Sequence, residues 1–162
     1  MSASPASTSA QKPKAFQVIA AAGLIMGAMD ITAAFVTAYA LRGISPVRVL
    51  QSVASGLLGA SAFQGGARTA ALGLALHFLI ATTAAAVYYA ASRKLAFLTR
   101  HAVISGIAYG IAVYLFMNLV VLPLSAAQPR YTALSIAIGL TVHMLCVGLP
   151  VSLVVQRFSN SR

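Results

Sequence analysis

The side chains able to do chemistry in this 162-residue chain are few: Asp30, His77, Asn118 and His143, with Arg48 and Gln51 lying between the first two. A carboxylate, two imidazoles and an amide can hold a proton or a cation and can orient a small polar solute by hydrogen bonds. Asp30 is the only acidic residue, which excludes a paired-carboxylate hydrolase, a carboxylate-ligated magnesium site and a two-metal centre within one protomer. Cys146 is the only cysteine, so intrachain disulfides, Cys-x-x-Cys redox chemistry and cysteine-based zinc sites are excluded as well. Neither a phosphate-cradling Gly-rich loop nor a serine nucleophile elbow occurs. The expectation is a protein that is not an enzyme and that holds neither metal nor cofactor.

Composition says which elements must position these groups. Hydrophobic residues make up 60% of the chain and charged residues 7%, with a mean hydropathy of +0.90. Soluble domains carry roughly a quarter charged residues. One acid and eleven bases cannot coat a soluble core, so the bilayer is the expected solvent. Four apolar runs, 16–41, 69–91, 102–124 and 132–155, each reach the length of about 20 residues that a spanning helix needs. The expected fold is an all-α integral membrane four-helix bundle forming one domain over 15–157. Residues 1–14, rich in Ser, Ala and Pro, and residues 158–162 read as tails. The first run also has features of a signal peptide, but it is long for one and Asp30 interrupts it.

Orientation follows from basic residues. With the N-terminus inside, Lys12, Lys14, Arg93, Lys94, Arg100, Arg157 and Arg162 are cytoplasmic, while Arg42, Arg48, Arg68 and Arg130 are outside. Seven against four places both termini in the cytoplasm. Because these charges are scattered singly between apolar runs, the net charge of +10 points to a membrane and not to nucleic acid. Arg93, Lys94 and Arg100 suit anionic lipids at the cytoplasmic face. Tyr39, Tyr88, Tyr89 and Tyr131 fall near span ends, where phenols can sit at headgroup level.

The connection between the first two spans has its own helical signal. Ser45 and Pro46 form a cap and first position, after which Val47, Leu50, Val53, Ala54, Leu57 and Leu58 share one face. Arg48, Gln51, Ser52, Ser55 and Gly59 share the other. A helix over 46–58 is too short to cross, so it is either an amphipathic helix on the outer surface or a re-entrant one.

Small residues share a face with each informative polar side chain. Gly23 and Gly27 accompany Asp30; Gly73 accompanies His77; Gly106 and Gly110 lie on the stripe of Asn118; Gly139 lies on that of His143. Such stripes let helices approach closely, which directs the polar groups inward. All four polar groups fall in the outer half, with Asp30 about 16 Å deep. They are expected to line an outward-facing polar cavity with Arg48 and Gln51, binding or conducting a proton, an ion or a small polar solute. An Asp30–Arg48 pair that merely pins the connection is the structural alternative. For the histidines, interhelical hydrogen bonds are the ordinary use and axial ligation of a b-type haem the sharper one. An accessory subunit of a larger membrane complex, or a homo-oligomer, is compatible with the same pattern.

The stretches LRGISPVRVLQSVASGLLG at 41–59, AFQGG at 62–66, LGLALHF at 72–78 and NLVVLPLS at 118–125 resemble small bacterial multi-pass inner-membrane proteins of unknown function. A more distant similarity is to the YagU-like inner-membrane proteins. The resemblance runs from the first span to the last and implies the bacterial inner membrane; it carries over no activity, cofactor or site residue.

Overall fold

A computed structural model describes residues 15–127 and 131–159, and every regular element among them is helical. The N-terminal tail expected over 1–14 lies outside the described residues, as do Arg130 and Arg162. The chain forms α1 (Ala15–Arg42), α2 (Pro46–Leu58), α3 (Gly66–Lys94), α4 (Ala102–Val121) and α5 (Ala133–Ser159). A tight 3-10 turn, Gly59–Gln64, joins α2 to α3, and a single helical turn, Phe97–Arg100, joins α3 to α4. Four of these helices, α1, α3, α4 and α5, are long and apolar enough to cross a membrane. The chain is thus an all-helical bundle with a short fifth helix between the first two spans.

Local chemistry sets the ends. Ser45 caps α2 by accepting from the Arg48 amide at 3.4 Å, with Pro46 at the first position. Thr132 and Ser135 form a reciprocal capping box at the start of α5. Gly43 and Gly59 take the positive φ that the turns on either side of α2 require. Hydropathy places several ends differently. Helix α3 continues through Arg93 to Lys94, and α5 through Arg157 to Ser159, so 158 and 159 are helix and not tail. Long basic side chains lie along a helix end and reach water while the backbone hydrogen bonds continue. Helix α4 ends earlier, at Val121, where Met117–Val121 widens into a π-helical turn closed by the Leu122 amide on the Met117 carbonyl at 2.8 Å.

Packing is unequal between the two ends. At the end where α1 begins and α5 finishes, Val18, Ala22 and Met26 of α1, Ala81, Ala85 and Tyr88 of α3, and Val147, Val151 and Val155 of α5 form one core. Tyr88 is 1% exposed and donates to the Leu98 carbonyl at 3.0 Å, so it is a core residue and not part of a headgroup belt. Gln156 of α5 donates to the Thr99 carbonyl at 2.8 Å, tying the turn between α3 and α4 down a second time. Helix α1 packs on α3 and α5, and α4 packs on α5. Helices α3 and α4, though consecutive, barely touch. The Tyr109 hydroxyl bridges them by donating to the Ala84 carbonyl at 2.7 Å. Leu24, Leu79, Ile104, Leu115 and Leu153 point outward, as expected of side chains facing lipid.

Candidate functional site

The α1–α3 contact is built on glycine. A methyl group at Gly23 would meet the Thr82 backbone at 2.8 Å, and one at Gly27 the Phe78 ring at 2.9 Å. That approach brings His77 Nε2 to 2.9 Å from the Gly27 carbonyl. A carbonyl only accepts, so Nε2 carries the proton in this bond. His77 therefore spends on α1 the nitrogen that an axial haem ligand usually presents.

One turn along α1 from Gly27, Asp30 is half-buried, with its carboxylate in electrostatic reach of Cys146 on α5. Among the described residues it forms no hydrogen bond and no ion pair. A carboxylate in a span without such a partner is costly unless it is protonated, hydrated or holding a cation.

His143 and Asn118 turn back onto their own helices. The π-helical segment His143–Gly148 of α5 lies on α4, where a methyl at Gly110 would collide with the His143 carbonyl and one at Gly148 with the Gly106 carbonyl. Gly139 makes room for the Tyr114 ring, which meets the His143 ring edge-on at 5.2 Å. His143 Nδ1 donates to the Gly139 carbonyl at 2.9 Å, and Asn118 Nδ2 to the Tyr114 carbonyl at 2.8 Å.

Arg48 and Gln51 occupy different places again. Arg48 is exposed and stacks over the Phe63 ring at 4.5 Å, so the expected pair with Asp30 is not formed. The reason is length: α1 runs on from Asp30 to Arg42, about 18 Å, before α2 begins. Gln51 is 4% exposed and donates to the Gly66 carbonyl at 3.1 Å and to Thr69 Oγ1 at 3.4 Å. It closes the α2–α3 seam, where Gly73 leaves no space between its backbone and the Leu50 carbonyl. The face of α2 that packs is Gln51, Ala54 and Ser55, while Val47, Leu57 and Leu58 point outward, the inverse of a helix on a water-soluble core. Among the described residues, no hydrogen bond or ion pair joins any two of these six side chains.

The structure also holds a feature that the polar residues do not mark. A cavity of about 610 Å³ lies between α3 and α4, and a second of about 560 Å³ lies between α2 with the turn after it and the end of α4; Ile80, Met117 and Val121 line both. None of the six candidates lines either. The only trace in the sequence is small residues, Thr83 and Ala84 in one span and Ala112 in the next, indistinguishable there from ordinary packing. Ser105 was likewise overlooked: its hydroxyl is buried on α4 and is without a partner among the described residues. No group of three His, Cys, Asp or Glu side chains converges among the described residues. Comparison with protein-family models, with curated proteins and with solved structures gives no match.

Proposed function

We propose that this multi-pass protein belongs to the bacterial inner membrane, with both termini cytoplasmic, and that it binds or conducts a proton, a cation or a small polar solute at Asp30. The orientation rests on seven basic residues on one side against four on the other. The function rests on a single observation: the one acidic side chain of the chain lies within α1, against α5, with no hydrogen bond or ion pair among the described residues. Intramembrane carboxylates are expensive, and a functional use is their default explanation. His77, hydrogen-bonded one turn away, fixes the α1–α3 wall of the site, and Cys146 contributes the α5 wall. Gln51, Asn118 and His143 serve packing in this reading.

Purified protein in liposomes tests it. A proton or monovalent-cation flux that Asp30→Asn abolishes, with helicity and elution unchanged, is the expected outcome. Equal flux in both proteins, or none in either, would overturn the reading and favour an accessory subunit of a larger complex.

A further inference from the structure

We propose that the slot between α3 and α4 is a binding site for one acyl chain of an anionic phospholipid from the outer leaflet, with Arg48 taking the headgroup phosphate. The two cavities adjoin, with Ile80, Met117 and Val121 in the walls of both. Each lies within the usual range of about 300–1,000 Å³ for a site that holds a small ligand. The deeper part is walled by Leu79, Val87, Val113 and Phe116, with no charged side chain. At its floor the Tyr109 hydroxyl is already engaged by the Ala84 carbonyl at 2.7 Å, so nothing there calls for water. An apolar chain fits such a wall and a hydrated solute does not.

The upper part is different in kind. It is roofed by α2 and the turn that follows, and Phe63 lines it. Arg48 does not itself line the slot but lies over that ring at 4.5 Å, which sets a guanidinium beside an otherwise uncharged wall. Arg48 has no acidic neighbour in this chain, because Asp30 is the only acid and does not reach it. The hydroxyls of Ser52, Ser55 and Ser125 donate to the carbonyls of Val49, Ser52 and Leu122, leaving the guanidinium as the donor for a phosphate. Guanidinium and phosphate match in charge and in bidentate geometry. Leu57 and Leu58 on the outer face of α2 keep this roof at the boundary between acyl chains and headgroups. The guanidinium and the apolar wall thus have the order of a phospholipid, charged at one end and hydrocarbon at the other.

Native mass spectrometry of the full chain, released from micelles doped with phosphatidylglycerol or phosphatidylcholine of identical chains, tests the assignment. The wild type is expected to retain one phosphatidylglycerol, and Arg48→Gln to lose about fivefold of that preference. Arg68→Gln, a change of equal charge on the same side, leaves the preference intact. Ala112→Trp, which fills the deeper part, is expected to expel both lipids alike. Equal retention of the two lipids by the wild type, or an unchanged preference in Arg48→Gln, overturns the proposal. So does a dimer that Ala112→Trp dissociates, since a second copy would then cover the slot. Free phosphate competing as well as the lipid would also overturn it, by showing that the chain is not recognised. These readouts do not involve Asp30, so they stand apart from the flux assay.

Discussion

Gly110→Ala is the sharpest test of how this bundle holds together. A methyl group at Gly110 would lie 2.7 Å from the His143 carbonyl carbon and from Met144 Cα, where carbon–carbon contacts settle at about 3.5 Å or more. The obstacle is backbone, so no rotamer change relieves it, and α4 and α5 must part by about 0.8 Å. A gap of that size forfeits roughly a quarter to a half of the dispersion energy of each contact along the seam. Overpacking of this kind costs about 1–3 kcal/mol, against which alanine returns up to about 1 kcal/mol of helix propensity. With backbone on backbone the upper end applies, and a net loss of about 2 kcal/mol is expected. Gly56→Ala is the matched control: its nearest neighbour is Ser125 Cβ at 3.8 Å, an ordinary contact, so that change should be neutral or stabilising by up to about 1 kcal/mol. Unfolding in mixed micelles with rising SDS, followed by far-UV ellipticity, measures both. Should Gly110→Ala prove as stable as Gly56→Ala, the α4–α5 seam is not the close backbone contact described, and the reasoning fails.

Two further changes probe the ends of the bundle. Gln51→Leu removes the donor that holds the Gly66 carbonyl and Thr69 in a buried seam, and should cost about 1–3 kcal/mol, seen as faster amide exchange in α2 than in α1. Tyr88→Phe keeps the ring but frees the Leu98 carbonyl, and should lower stability in the same SDS titration by about 1 kcal/mol.

How far the sequence alone reaches can be argued from particular residues. The four spans are legible because each is an apolar run of sufficient length, and the start of α2 because Ser45–Pro46 has only one good local use. Span ends are less legible, since hydropathy drops at the first charge while the helix carries on, as at Arg93–Lys94 and Arg157. The π turns in α4 and α5 leave no signature in residue type. The inverted face of α2 escapes a rule learned from water: between helices in lipid, small and hydrogen-bonding residues make the contact and the leucines turn away. Tyr88 misleads for a related reason, because a phenol near a span end suits a core whenever a carbonyl such as that of Leu98 is within reach. For the candidate site, type and depth singled out Asp30, but partnership depends on lateral geometry. A stripe of small residues shows that a helix is approached, not by which neighbour or how far its polar group is carried round. Hence His77 finds Gly27, while His143 and Asn118 spend their hydrogen bonds on their own helices.

Cys146, the sole thiol of the chain, lies on α5 within electrostatic reach of Asp30, the only acidic side chain. That pairing gives the molecule a native reporter. A membrane-impermeant alkylating reagent supplied from one face or the other, with no engineered cysteine and no competing sulfhydryl, registers from which compartment solvent reaches the α1–α5 contact, and how often.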